Sequence, residues 1–182
     1  MEILTNYEIP NLKNEKQKIF VTNVYGCIDI EHLKNYLKQL ESIKTKNKNI
    51  EEIIYLPNTY IYDIKQILWG IFIAYNAIQE KINISEKLGI EILLTLNYTN
   101  QIKNIITQSY PKNGKNTGFL IIITKKKINK KQINQIKTKL KINEINKIKY
   151  NKKEALKYYS IENNTDNENL LKIIEKMAGK TI

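Results

Sequence analysis

The stretch SEKLGIEILLTLNYTNQI, Ser85–Ile102, decides how the middle of the chain is read. As a strand, alternation would put Glu91, Leu93, Thr95 and Asn97 on one face and Ile90, Ile92, Leu94 and Leu96 on the other, so that a charge would sit beside a leucine. As a helix, Lys87, Glu91 and Thr95 fall four apart on a polar stripe, and Leu88, Ile92 and Leu96, widened by Leu93, form the apolar one. The helix accounts for Glu91. The spacing therefore predicts a helix, even though Gly89 within it costs about 1 kcal/mol relative to alanine.

Toward the N-terminus, KIFVTNVY, Lys18–Tyr25, is β-branched and aromatic and stops at Gly26, which predicts a strand. Asp29 is then placed to cap a helix over DIEHLKNYLKQLESIKTKN, where Leu33, Tyr36, Leu37, Leu40 and Ile43 recur at helical spacing. NIEEIIYL, Asn49–Leu56, ends at Pro57 and predicts a second short strand, in the β-α-β order of a sheet covered by helices. From about Tyr60 to Lys81 a helix carries Ile64, Ile67, Leu68, Ile71, Tyr75 and Ile78, while Trp69, Phe72 and Ile73 spread its apolar surface around the cylinder. Two readings of that helix stand: full burial, or one face on the core and the other offered to a partner through Trp and Tyr, the side chains of interface anchors.

Toward the C-terminus, Thr99 is placed to cap a helix over NQIKNIITQSY, with Ile102, Ile105 and Ile106 as its buried stripe and Pro111 as its stop. PKNGKNTG reads as a turn-rich loop and FLIIIT, Phe119–Thr124, as a buried strand. KKKINKKQINQIKTKLK places Ile128, Ile133, Ile136 and Leu140 near helical spacing, followed by a polar strand or loop through Ile145 and Ile148. SIENNTDNEN has the composition of a linker and leads into an amphipathic helix with Leu170, Ile173, Ile174 and Met177. There is no internal repeat. The expected architecture is α+β, a small mixed β-sheet packed by several helices, in one domain over residues 1–182.

At 182 residues, 42% hydrophobic and 26% charged, the chain can bury a core of its own. The single cysteine, Cys27, has no partner for a bridge within the chain, and MEILTNYEIPNLKNEK has neither the basic region nor the apolar run of a signal peptide. The longest apolar run, ILWGIFIAY from Ile67 to Tyr75, falls short of the roughly 20 residues that span a bilayer. The expectation is a cytoplasmic protein with no membrane segment.

The net charge of +12 comes entirely from lysine, and the chain is crowded with Ile, Asn, Lys and Tyr. Residues 1–110 hold 12 Lys and 12 acidic residues, residues 111–157 hold 15 and 2, and residues 158–182 hold 3 and 4. The excess thus sits in one segment, which points to a surface that faces a polyanion; the other reading is a solvated lysine-rich face, since arginine, the bidentate phosphate ligand, is absent.

Catalytic signatures fail on their spacing. GKNTG lacks the phosphate-loop glycine, since Ser109 stands five residues before Gly114, and Asn116 replaces the required Ser or Thr. His32, the one histidine, lies in a charged helix with no Cys or Ser nearby, which suits a surface residue better than a base or ligand. One Cys and one His leave only carboxylates for a metal. Glu51 and Glu52 are adjacent on a strand and point to opposite faces, which argues against paired acid-base work. No catalytic residue, cofactor or metal is expected.

The order of motifs resembles the PRPK-binding protein family, the small kinase-associated subunit of the KEOPS complex. The resemblance runs through AYNAIQ near the end of the long helix, KLGIEILLTLNYTNQIKNII, FLIIIT, LKYYSI, and LLKIIEKMAGKTI. Its specific part is the central block, here Leu88, Glu91, Leu93, Leu96, Asn100, Gln101 and Ile102; archaeal members often carry Arg at the position of Asn100. The resemblance implies a non-catalytic regulatory subunit of a machine that installs threonylcarbamoyl on adenosine 37 of tRNA. Such a subunit binds the kinase-like ATPase subunit and, in archaeal examples, the tRNA acceptor end with its 3′ CCA.

On this reading the tRNA-binding residues are Asn76, Lys87, Asn100 and Gln101, expected around one surface because they flank consecutive helix junctions, together with Lys125, Lys126, Lys127, Lys130 and Lys131 for phosphate contacts. Trp69 and Ile73 on the long helix, with Leu170, Ile174 and Met177 on the last one, are the expected kinase-subunit interface. Glu91 is left with two roles, a structural bond or a ligand contact. A stand-alone basic RNA-binding protein without an obligate protein partner is the alternative.

Overall fold

The structure, a computed structural model, describes residues 5–10, 18–103, 105 and 109–179. Its strands are β1 (Thr5–Pro10), β2 (Lys18–Ile30), β3 (Ile50–Pro57), β4 (Gly114–Thr124) and β5 (Asn143–Glu144). Its helices are α1 (Leu33–Lys46), α2 (Ile64–Glu80), α3 (Leu88–Leu96), α4 (Lys130–Lys139), α5 (Lys152–Tyr158) and α6 (Asp166–Gly179), with a 3₁₀ turn over Asn58–Tyr60. These elements gather into two compact units, each made of two chain segments: Met1–Pro57 with Pro111–Ile148, and Asn58–Tyr110 with Lys149–Ile182.

The first unit holds the sheet, in the order β1-β2-β4-β3, with β5 pairing β2 beyond the end of β1. The α+β class is as expected, but the sheet is antiparallel in every pairing rather than mixed. The reason is β4, which inserts between the two strands of the expected β-α-β unit and runs against both. Being central, Phe119–Thr124 is buried throughout, which is why its sequence is a continuous apolar run instead of an alternating one. The expected loop PKNGKNTG is half strand: Gly114–Gly118 pair in register with Ile30–Gly26 of β2. The strand read as Lys18–Tyr25 therefore continues to Ile30, which places Asp29 inside β2 and leaves His32 at the N-cap of α1.

One face of this sheet, with Val24, Ile28, Tyr55, Leu120 and Ile122, packs in one cluster with Tyr36 and Leu40 of α1 and Ile133 and Ile136 of α4. Each such side chain contributes about 1.5 to 3 kcal/mol on burial. Tyr55 also ties strands together, its hydroxyl lying 3.1 Å from the carbonyls of both Gly26 and Asn116.

The second unit is helical. Asp63 caps α2 by accepting from the Lys65 amide at 2.9 Å, and the helix buries Gln66, Ile67, Gly70, Ile71, Ala74 and Ala77. It packs on α3 and α6. Gly70 is where α3 comes closest, since a Cβ there would meet Leu96 Cδ2 at 2.5 Å. The 3₁₀ turn, α2, α3 and α5 are joined by a buried polar network. The Gln66 side chain accepts from the Tyr62 amide at 2.7 Å and donates to the Tyr159 hydroxyl at 2.8 Å, and Tyr159 donates to the Leu96 carbonyl. Asn97 Oδ1 accepts from Ser109 at 2.6 Å and from the Tyr158 hydroxyl at 2.8 Å. Of the helix expected over NQIKNIITQSY, Asn104 and Ile106–Gln108 lie outside the described residues; Ile105 is buried as expected, whereas Ile102 is exposed.

Several helices end without glycine. Lys81, Tyr98, Lys141 and Ser160, after α2, α3, α4 and α5, all take left-handed backbone conformations, and the two amides at each end reach back to the last turn. After α3, for example, Tyr98 N bonds the Thr95 carbonyl at 3.1 Å and Thr99 N the Leu94 carbonyl at 3.2 Å. This is the bonding of a Schellman cap, with a side chain where glycine is usual.

Gly118 leaves no room for a side chain: a Cβ there would lie 2.0 Å from the Leu56 carbonyl oxygen on β3. Gly118→Ala should therefore lower the unfolding free energy by about 2 to 3 kcal/mol, because the clash is with backbone in the neighbouring strand. Urea titration measures it; a variant as stable as the parent would show that β3 and β4 are farther apart than described.

Candidate nucleic-acid and protein interfaces

The expected site residues divide between the units. Lys125, Lys126, Lys127, Lys130 and Lys131 belong to the first, and all five are exposed. They follow directly from the end of β4 and occupy the loop and first turn of α4. Asn129 caps that helix, its side chain accepting from the Gln132 amide at 2.9 Å while the Gln132 side chain accepts from the Asn129 amide at 3.0 Å. The first turn contains no acidic residue, so Lys130 and Lys131 stand at the positive end of the helix dipole, where cations are disfavoured by roughly 0.3 to 1 kcal/mol. Lys125 Nζ lies 3.9 Å from Glu51, and Lys127 Nζ is 5.8 Å from the centre of the Phe20 ring. A concentration of cations at a helix N-terminus is unfavourable alone and is relieved by an anion.

The second unit holds the rest. On α2, Trp69, Phe72, Ile73 and Asn76 share the face opposite the buried one; Trp69 is 45% exposed and meets Phe72 edge-on at 5.3 Å. The helix is therefore not buried on all sides: one face packs on the core and the other is partly exposed. Ile73 is half-buried, as are Leu170 and Ile174 on α6. Met177 is fully buried, so its expected contact with a partner is corrected: it faces the core beside Ile173, and the large apolar side chain of α6 that is exposed is Leu171.

Asn76, Lys87, Asn100 and Gln101 do not converge. Lys87 is at the N-cap of α3, whereas Asn100 and Gln101 follow its C-terminal end, a nine-residue helix of about 13 Å away. Asn76 donates to the Phe72 carbonyl at 2.8 Å within its own helix.

Among the described residues of the second unit, Tyr98, Ser160, Ile161, Glu162, Lys172, Glu175, Lys176 and Gly179 line a groove of about 570 Å³. The ends of α3 and α5 meet α6 there. Tyr98 and Ser160 are the two left-handed cap residues of those ends, and Tyr98 turns its ring outward, 49% exposed. Lys172 and Lys176 suit a place where helix C-termini present partial negative charge, and with Glu162 and Glu175 they make a rim of mixed charge beside an aromatic face. Sequence reasoning missed Tyr98, Lys172 and Lys176 because their grouping depends on how three helix ends meet. At the start of α6, Asp166 accepts from Lys152 and from the Tyr62 hydroxyl, and these bonds, that of Lys152 above all, keep its carboxyl below the usual range.

Glu91, expected on a polar stripe, is buried at 2% exposure. Its Oε2 accepts from the backbone amides of Ile84 at 3.0 Å and Ser85 at 2.8 Å, fixing the loop that enters α3. Of its two expected roles, the geometry is that of the structural one. Among the described residues no group of three or more His, Cys, Asp and Glu could hold a metal ion, and no helix is long and apolar enough to cross a membrane. His32 is exposed, 3.8 Å from Glu31. Glu51 and Glu52 take separate lysines, Lys125 and Lys44.

No family model matches the chain, and no curated protein sequence matches it.

Removing the Glu91 carboxylate leaves two amides without their acceptor. Glu91→Ala should cost about 2 to 3 kcal/mol of stability, and Glu91→Gln less, because the amide oxygen still accepts. Chemical denaturation of both variants checks this ranking; a Glu91→Gln variant of normal stability that no longer binds RNA would assign Glu91 to a ligand instead.

Proposed function

We propose that this chain is a non-catalytic cytoplasmic adaptor of the KEOPS type, which binds the kinase-like ATPase subunit and the tRNA acceptor end and so supports threonylcarbamoylation of adenosine 37. The observation that carries the reading is a division of surface properties between the units. The first has 19 Lys against 9 acidic residues, a net +10, whereas the second has 11 against 9, a net +2. Conversely, the large apolar side chains that are exposed among the described residues, Trp69, Ile82, Ile84, Tyr98, Ile102, Tyr158 and Leu171, all belong to the second unit. An adaptor between a polyanion and a protein needs those two kinds of surface. The resemblance in KLGIEILLTLNYTNQI supplies the identity of the two ligands.

In this reading the lysines around the start of α4 hold phosphates by charge, and the groove beside Tyr98, whose two lysines are balanced by Glu162 and Glu175, offers an aromatic face and polar groups to an unpaired end, with Asn100 and Gln101 following in the chain. The α2 face with Trp69 and the exposed side of α6 are offered to the kinase-like subunit, Trp69 being the type of side chain that dominates interface energy. A stand-alone RNA-binding protein would account for the lysines but not for Trp69 and its neighbours.

Changing Lys125, Lys126, Lys127, Lys130 and Lys131 together to Gln should weaken tRNA binding strongly and lower the salt slope by about 0.7 to 0.9 for each phosphate no longer neutralised, without altering which RNA is preferred. Lys152 and Lys153 should matter less, the first being engaged by Asp166. Titrating a tRNA transcript at several salt concentrations tests this, and an unchanged slope would assign the five lysines to solubility.

Trp69→Ala should weaken association with the kinase-like subunit by about 2 kcal/mol and leave tRNA affinity unaltered. Calorimetry of the parent and variant with that subunit decides it. Equal affinity in a folded variant would leave the stand-alone RNA-binding reading.

A further inference from the structure

The backbone of the lysine loop is held by one uncharged side chain. Asn49, the residue before β3, donates from Nδ2 to the Lys126 carbonyl at 3.0 Å and accepts through Oδ1 from the Lys126 amide at 2.8 Å. Its own carbonyl accepts from the Lys125 amide at 2.9 Å. A single side chain thus satisfies both backbone groups of a residue 77 positions away. Asn49 is anchored in turn. Its amide donates to Oδ1 of Asn47 at 3.1 Å, and Asn47 is the residue that closes α1, its amide bonded to the Lys44 carbonyl at 3.1 Å. The result is a relay from the end of α1 through Asn47 and Asn49 to Lys126, with the capped start of α4 fixing the other end of the loop.

Three consecutive lysines in an open loop would spread apart by mutual repulsion, and gathering them on a ligand would cost ordering free energy at the moment of binding. Here the peptide of Lys126 is already bonded on both sides, Lys125 leans toward Glu51, and Lys127 lies over Phe20. We propose that Asn49 is a positioning residue for RNA: it sets Lys125, Lys126 and Lys127 in one arrangement before the phosphodiester backbone arrives. The inference rests on the reading of these lysines as RNA-facing. Asn49 carries no charge, so its contribution is pre-organisation and not counterion release, and the two have different signatures. Removing a lysine–phosphate pair changes the slope of affinity against salt, whereas removing pre-organisation lowers affinity equally at all salt concentrations.

The experiment is a titration of the full chain with a tRNA transcript across about 50 to 200 mM salt, with hydrogen exchange on the same samples. In Asn49→Ala, affinity should fall roughly tenfold at every salt concentration with the slope unchanged. The Lys126 amide should exchange faster, while the amides of Ile121–Ile123 in β4 stay protected and report an intact sheet. Asn47→Ala, which loosens the relay one step back, should repeat the pattern more weakly, and it carries the test by the same criteria if Asn49→Ala does not fold. Unchanged affinity in the folded variant, or a changed slope, overturns the positioning role. If neither the quintuple lysine variant nor Asn49→Ala affects tRNA binding, it is the RNA reading that falls; a lysine effect without an Asn49 effect rejects the positioning role alone.

Discussion

The antiparallel pairing of β2 with β4 is the constraint on which the first unit depends. It runs for eleven register pairs, from Phe20 opposite Thr124 to Ile30 opposite Gly114, and β3 pairs β4 along its other edge. A strand bonded on both sides has no freedom to slip, because a shift would break its register with β2 and with β3 at once. The lysine loop inherits that rigidity. Thr124 is the last residue of β4 and pairs with both Phe20 and Ile50, so Lys125 leaves the sheet at a fixed point directly opposite Asn49. The basic surface is therefore an extension of the most strongly determined element of the unit. Gly118 shows what that determination demands, since the approach of Leu56 leaves no room for a side chain.

The second unit is organised by polar bonds where the first relies on a ladder. Gln66 is fully buried, and its amide is satisfied only if the chain entering α2 and Tyr159 after α5 are both in place. Burial raises the pKa of Tyr159 well above the ordinary tyrosine value, so the hydroxyl stays a donor to the Leu96 carbonyl at any physiological pH. A buried network of this kind penalises incomplete assembly, because each member left without a partner costs about 1 to 3 kcal/mol. It also fixes the helix ends that surround the groove, since Leu96 and Asn97 close α3 one residue before Tyr98 turns its ring to solvent.

What could be read in the sequence follows from what is local. FLIIIT announced a buried strand because a strand covered on both faces shows no alternation, whereas α2 left full burial and a two-faced helix both open because Trp69, Phe72 and Ile73 spread its apolar surface around the cylinder. Periodicity placed Glu91 on a helix correctly and misjudged its surroundings, because the amides that hold it belong to Ile84 and Ser85, outside the helix whose stripe was being counted. The first half of β4 was hidden by the turn composition of GKNTG, which only pairing with β2 overrides. Helix ends were blurred since glycine is scarce and Lys81, Tyr98, Lys141 and Ser160 do its work. The sites divided the same way: the five lysines were visible as a charge run, whereas the groove at Tyr98 and the bonds from Asn49 to Lys126 join positions far apart in the chain.

The absence of arginine gives the charge pattern a consequence for specificity. Lysine is a point charge on a flexible stem and cannot form the planar fork by which arginine reads a phosphate or a guanine edge, so a surface built from it grips a backbone without reading it. Five exposed lysines can thus supply affinity and a strong salt dependence, but little discrimination among RNAs. If this chain distinguishes one RNA end from another, the discrimination must come from groups that stack or hydrogen-bond, and groups of that kind lie on the second unit: the exposed ring of Tyr98, the side-chain amides of Asn100 and Gln101, and the hydroxyl of Ser160. Strain adds nothing to that assignment: the left-handed backbone after α3 carries roughly 1 to 3 kcal/mol that glycine would avoid, but Lys81, Lys141 and Ser160 carry the same cost at their own helix ends, so what sets Tyr98 apart is a half-exposed aromatic ring at such an end.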